Sequence, residues 1–169
     1  MFDRYQREIH YLRLSVTDLC NLRCRYCMPD GVEKLEREAV LTYEEFLRLA
    51  ALFAQCGIDT VRVTGGEPLV RKADILKLAE KHNDVQFAIY TNSTLIDEPF
   101  CKEVVRLGNI AFMLSIEGTR ETNDARRGEG HYAAVMNAMD LLKKYGIIFG
   151  TSICYTRDNI EAVTNDEFM

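Results

Sequence analysis

Short β-type runs alternate with amphipathic helical patterns along almost the whole chain. This alternation restricts the possible folds more than any other feature. His10–Val16 is expected to form a strand with Tyr11, Leu12, Leu14 and Val16 as its apolar members. Tyr43–Cys56 is expected to form a helix. Thr42 and Glu45 have capping-box spacing before it, Phe46, Leu47, Ala50 and Phe53 share one face, and Gly57 stands just past its end. The pattern then repeats: strand Thr60–Thr64, helix Ala73–Lys81, strand Val85–Thr91, helix Glu98–Leu107 with Gly108 after it, and strand Ile110–Ile116. Helix His131–Tyr145, with Val135, Met139 and Leu142 on one face and Gly146 after it, leads to a fifth strand, Ile147–Tyr155. Such alternation implies an α/β fold with parallel strands. Right-handed crossovers leave a doubly wound sheet or a barrel. The chain ends at Met169, in what reads as the start of another helix. A closed eight-stranded barrel takes about 250 residues, so an incomplete barrel of about five strands, a cut chain or an open sheet is expected. Polar segments follow each strand's C-terminal end, where α/β folds place their sites.

The 169 residues suit a single domain spanning residues 1–169, and 47% hydrophobic residues suffice for a sizeable core. The formal net charge is −5, with no long basic run, which speaks against nucleic acid as a partner. A few local arginines remain available to an anionic small molecule. No stretch reaches the roughly 20 apolar residues of a membrane span. The polar N-terminus, from Met1 to Glu8, has no signal-peptide apolar region, so a cytoplasmic protein is expected. Six cysteines in a reducing compartment point to metal rather than disulfides where they cluster.

Three do cluster. Cys20, Cys24 and Cys27 follow the first strand directly, and the turn-forming run Met28-Pro29-Asp30-Gly31 follows them. Thiolates are the usual ligands of iron–sulfur clusters, and four saturate a [4Fe-4S] cluster; three leave one iron open to a substrate. Two other readings of the triplet stand beside this one. The spacings of four and three would also place the thiols on one helical stripe as small apolar groups. A structural zinc site would need a fourth ligand, which His10, Cys56 or Cys101 would have to bring through the fold. A second motif, Thr64-Gly65-Gly66-Glu67-Pro68, ends the second strand; its paired glycines permit close backbone approach and positive φ.

The Cys20-x3-Cys24-x2-Cys27 loop, with Tyr26 before the last cysteine, together with the Gly-Gly-Glu-Pro turn, resembles the radical S-adenosylmethionine (SAM) superfamily. The resemblance implies a partial (β/α)6 radical SAM barrel, truncated at its C-terminus. Its enzyme would cleave SAM reductively to a 5′-deoxyadenosyl radical for hydrogen abstraction, with a flavodoxin- or ferredoxin-type electron donor. By resemblance, Cys20, Cys24 and Cys27 bind the cluster, and Gly65, Gly66 and Glu67 meet the SAM amino group. Tyr26, Asn92 and Ser115 line the SAM site, Glu117 accepts from the ribose hydroxyls and Arg127 pairs with the SAM carboxylate.

The first 80 or so residues are most similar to GTP 3′,8-cyclases of molybdenum-cofactor biosynthesis. The similarity lies in Tyr11–Asp18, Tyr26-Cys27-Met28-Pro29 and Val61–Lys72, and it makes Arg13 and Arg62 substrate contacts, since guanidinium forks suit phosphate oxygens. The second half departs. Tyr90-Thr91-Asn92-Ser93 replaces that family's paired threonines before Asn-Gly, and Gly150 stands where it places a nucleotide-binding lysine. Its second cysteine cluster is missing, and Cys56, Cys101 and Cys154 read as scattered buried thiols. Ser115–Gly118 and Arg127–Gly130 instead resemble the peptide- and protein-modifying branch. The resemblance therefore implies a small-molecule substrate such as GTP, or a peptide. A non-catalytic scaffold holding a cluster or zinc is the reading from another class.

Overall fold

A computed structural model describes residues 2–28, 33–166 and 168. The turn expected at Met28-Pro29-Asp30-Gly31 lies, from Pro29 on, outside the described residues. Among the described residues, one parallel sheet has five strands: β1 (Tyr11–Ser15), β2 (Thr60–Thr64), β3 (Gln86–Thr91), β4 (Ile110–Ser115) and β5 (Phe149–Ser152). Helices α1 (Tyr43–Gln55), α2 (Lys72–Lys81), α3 (Glu98–Leu107), α4 (Arg120–Arg127), α5 (His131–Lys144) and the single turn α6 (Ile160–Val163) follow in chain order.

The strand order is β1-β2-β3-β4-β5, without reversal. A doubly wound sheet needs a switch point where the order turns back. Right-handed crossovers that always step the same way keep every connecting helix on one side of the sheet. The fold is thus a partial (β/α) barrel.

The strands alternate because only one face is covered. In β2, Val61 and Val63 are buried, whereas Thr60, Arg62 and Thr64 are half-buried. Register extends Val61 and Val63 across to Phe87 and Ile89, and on to Ile110 and Phe112. That face packs on Phe46 and Ala50 of α1, Ile75 and Leu78 of α2, Phe100 and Val104 of α3, and Val135 and Leu142 of α5. The opposite face, the inner wall of the partial barrel, carries Arg13, Arg62, Tyr90, Met113 and Ser115.

Local signals are met where they are strong. Thr42 and Glu45 form the expected capping box, and Asp97 caps α3 by accepting from the Phe100 N–H. Three expectations need correction. β5 covers Phe149–Ser152 rather than Ile147–Tyr155. Ile148 is 77% exposed, and beyond Ser152 the chain leaves the ladder, with the Cys154 N–H donating to Glu117 Oε2 at 3.1 Å. Helix α4 was not expected, because its sequence, Arg-Glu-Thr-Asn-Asp-Ala-Arg-Arg, has no apolar stripe and buries only Asn123. Of the scattered thiols only Cys101 is buried; Cys56, at the end of α1, and Cys154, past the edge strand, are exposed.

Candidate functional site

Parallel strands bring all their C-terminal ends to one edge, and four site segments gather there. The cysteine loop follows β1, the glycine turn follows β2, Asn92 follows β3 and Glu117 follows β4. The first two are locked together. The Gly66 N–H donates to Thr17 O at 2.7 Å, and the Glu67 N–H to Leu19 O at 2.8 Å. A Cβ on Gly66 would collide with the backbone of Leu19 and stand 2.6 Å from Asp18 O, and one on Gly65 would collide with Thr17 O. Gly65 also has φ +144°. These glycines are there because the backbone leading into Cys20 lies directly against them.

Glu67 is buried, and its carboxylate joins β2 to β3. Oε1 accepts from the Leu69 N–H at 2.9 Å and the Thr91 hydroxyl at 2.7 Å; Oε2 accepts from the Asn92 N–H at 2.7 Å. Burial raises its pKa against the pull of these donors. The side chain thus faces the protein and fixes the peptide of Asn92.

Cys24 is buried, Cys20 half-buried and Cys27 exposed; all are free thiols. A turn folds the loop back, with the Cys27 and Met28 N–H groups donating to Cys24 O at 3.1 Å. The sulfur of Cys20 accepts from the Leu22 N–H at 3.4 Å and from Asn92 Nδ2 at 3.9 Å. Burial pushes the Cys24 thiol up, the Arg127 charge opposes this, and the neighbouring Cys20 and Cys27 sulfurs add to it. The stripe reading is not met, because the loop is not helical. Nor do the extra zinc ligands join: His10 and Cys56 sit at the opposite edge of the sheet, before β1 and β2, and Cys101 lies inside α3. Among the described residues, no three Cys, His, Asp or Glu side chains converge on a point as a single metal ion requires. A four-iron cluster takes its thiolates at separate irons, and three thiols on one short, turned loop fit that donor set.

Glu117 is a fully buried hub. Its Oε1 accepts from the Tyr26 hydroxyl at 2.8 Å and from Arg127 Nη2 at 2.7 Å; its Oε2 accepts from the Cys154 N–H at 3.1 Å, with Arg126 Nε 3.6 Å away. Arg127 Nη2 also donates to the Tyr26 hydroxyl at 2.6 Å. Burial, with the Glu117 carboxylate and against the Arg127 charge, holds that hydroxyl far above the usual tyrosine range. The Arg25 N–H donates to Arg126 O at 3.2 Å. Together these contacts clamp the cysteine loop between β4 and the end of α4. Ser115 stands at the mouth, half-buried and in register with Ser152.

A buried chain that the sequence did not reveal links hub and loop. The Glu117 N–H donates to Asn123 Oδ1 at 3.1 Å, Asn123 Nδ2 lies 3.0 Å from His131 Nδ1, and His131 Nε2 lies 3.0 Å from Asn92 O. A backbone N–H can only donate, so Asn123 faces Glu117 with its oxygen and His131 with its amine. His131 Nδ1 therefore accepts and Nε2–H donates. Burial, helped by the Arg127 charge, lowers His131 to about 4, so the ring is neutral. His131 was visible as a helix start and Asn123 not at all; neither stands in a motif that marks it.

Arg13 and Arg62 are not part of this cluster. They pair in register mid-strand on the inner face, with guanidinium carbons 5.8 Å from the Tyr90 ring and 3.9 Å from the Tyr11 ring. Among the described residues neither forms an ion pair.

Residues 14–166 match the family model described as the Radical SAM superfamily. The chain is 47% identical over 102 residues to a GTP 3′,8-cyclase of Geobacter sulfurreducens, covering 58% of this chain and 31% of the relative. It is 35% identical over 177 aligned positions to that of Alkaliphilus metalliredigens, covering 98% of this chain and 54% of the relative. The chain thus spans about half or less of the length of these curated relatives. Among solved structures, anSMEcpe with bound AdoMet and Kp18Cys peptide matches with a TM-score of 0.73 and 23% identity, over 94% of this chain and 49% of that one. Streptococcus suis SuiB bound to S-adenosylmethionine matches with a TM-score of 0.76 and 20% identity, over 91% and 36%. These likenesses are of fold. Among the described residues, no helix is long and apolar enough to cross a membrane.

Proposed function

The chain belongs to the Radical SAM superfamily, a superfamily of enzymes, and on that premise we propose that Cys20, Cys24 and Cys27 hold a [4Fe-4S] cluster whose fourth iron takes SAM. When bound, the cluster and SAM supply one-electron reductive cleavage of the sulfonium and hydrogen abstraction. The observation that carries this reading is the docking of the glycine turn on the segment that enters the cysteine loop, where no side chain at residue 66 would fit. The backbone of Gly65 and Gly66 thus lies beside the loop and would meet the SAM amino group. Glu67 holds the Asn92 peptide rather than meeting the ligand directly. Glu117 holds Arg127 and Tyr26 at the mouth, with the Tyr26 ring against the guanidinium groups of Arg126 and Arg127. Arg127 offers charge to the SAM carboxylate, and Ser115 offers a hydroxyl. A flavodoxin- or ferredoxin-type protein would supply the electron.

For the substrate, a peptide is the reading we carry forward. Gly150, in register with Met113 on the inner face, leaves that wall without the lysine expected for a nucleotide. The solved relatives that cover most of this chain include one with a peptide bound. A nucleotide is the second reading, favoured by Arg13 and Arg62, which stand side by side and without an ion pair among the described residues, and by the curated relatives.

Anaerobic reconstitution with iron and sulfide, then SAM and dithionite, tests the reading through 5′-deoxyadenosine formation. Iron and sulfide uptake with product, both lost in Cys24→Ala, is expected. Zinc at one per chain with no iron or sulfide retained would overturn it. GTP binding that disappears in Arg13→Ala and Arg62→Ala would decide for the nucleotide.

A further inference from the structure

We propose that the side-chain amide of Asn92 is a positioning donor that raises the reduction potential of the cluster through the sulfur of Cys20. The proposal rests on the reading of Cys20, Cys24 and Cys27 as cluster ligands.

Every polar atom of Asn92 is engaged. Its N–H donates to Glu67 Oε2 at 2.7 Å, and its carbonyl lies 3.0 Å from His131 Nε2. Its Oδ1 accepts from the Thr94 N–H at 3.1 Å and the Thr94 hydroxyl at 2.7 Å. Because the Thr94 N–H can only donate, the atom facing it must be the oxygen. The amine is thereby turned toward the cysteine loop. One of its hydrogens meets Asn21 Oδ1 at 2.8 Å, and the other faces Cys20 Sγ at 3.9 Å. Asn21 in turn donates to the Thr94 hydroxyl at 2.8 Å, closing a ring of three side chains. The residue is 6% exposed, so water does not readily replace its amide.

The donors are distributed unequally over the loop. Cys20 Sγ accepts from Asn92 and from the Leu22 N–H, whereas Cys24 Sγ faces the Arg127 carbonyl at 4.0 Å. Adding one electron to a cluster increases the negative charge on its sulfurs. N–H groups aimed at a ligand sulfur therefore stabilise the reduced form more than the oxidised one, and the potential rises. An ordinary turn role explains only Oδ1, which closes onto the Thr94 N–H. Serine or aspartate would also supply that acceptor; neither would supply the amine.

The difference between these roles fixes the test. Wild type, Asn92→Ser and Asn92→Asp are reconstituted anaerobically without SAM. Each is checked by circular dichroism and by iron and sulfide content, then titrated with dithionite through mediator dyes under EPR. Serine is expected to disfavour the one-electron reduction about tenfold, a fall of about 59 mV. Aspartate is expected to lower the potential further, because it adds a negative charge beside the sulfur. Clusters of equal potential in wild type and Asn92→Ser would overturn this proposal alone. Folded variants that no longer retain iron would also overturn it, by making Asn92 a holder rather than a tuner. A wild-type protein that takes up no iron and sulfide would overturn the cluster reading and this proposal with it.

Discussion

Replacing Glu117 by glutamine removes the charge at the centre of the buried hub and leaves its volume almost unchanged. The carboxylate collects donors on both sides: the Tyr26 hydroxyl and Arg127 on Oε1, the Cys154 N–H on Oε2, with Arg126 beside it. A glutamine offers one oxygen and one NH2. In one orientation the NH2 meets the Arg127 guanidinium, in the other the Cys154 N–H, and neither can accept. The Arg127 side chain, 10% exposed, also loses its counter-charge. Removing one partner of a buried pair destabilises by about 3–5 kcal/mol, a large part of the roughly 5–15 kcal/mol available to a whole domain. At about 2–4 °C per kcal/mol for a chain of this size, the melting midpoint should fall by about 10 °C. Urea unfolding of the apoprotein by circular dichroism measures the loss, with Glu98→Gln as the control, since the Glu98–Lys144 pair lies in solvent. A loss below about 1 kcal/mol, the range of exposed ion pairs, would refute the argument, because it would mean that water reaches the hub.

Ser93 adopts φ +72° with its hydroxyl buried and unpartnered among the described residues. Ser93→Gly should therefore stabilise by about 1 kcal/mol in the same unfolding assay. Gly66→Ala should do the reverse, by about 3 kcal/mol, because it forces two backbone segments apart and strains two hydrogen bonds; trypsin should then cut faster at Arg23 or Arg25. His131 titrates near 4 in the fold and near 6.5 when unfolded. Its contribution is complete above pH 6.5 and is lost as pH falls toward 4, at about 1.4 kcal/mol per unit; an apoprotein profile that does not flatten in His131→Gln would count against a buried neutral ring.

Much of the frame was readable in the chain because it depends on local pattern. β2 and α3 have the expected bounds, Thr60–Thr64 and Glu98–Leu107. Their signals are a short β-type run and a helical pattern closed by Gly108; the Asp97 cap emerges only in the structure. The thiol spacing and the paired glycines were equally visible. The apolar residues past Ser152 make β5 look longer in sequence than its four paired residues, whereas the chain there answers to the Glu117 carboxylate. Helix α4 was invisible because it is held by polar contacts, those of Asn123 and Asp124 with Glu117, His131, Gly130 and Tyr132, and polar contacts leave no hydrophobic period.

The sequence by itself determined an α/β chain of alternating elements with a three-cysteine loop and a glycine turn at successive strand ends. Only the tertiary structure decided between barrel and doubly wound sheet, since strand order is a property of pairing and not of any segment. It also decided what the polar residues do. Glu67 and Glu117 look alike in sequence as acidic residues after strands. Once buried, each must find donors, and which donors are within reach depends on elements far apart in the chain. The same holds for Asn92, whose amide can be assigned a direction only when Thr94, Asn21 and Cys20 stand around it.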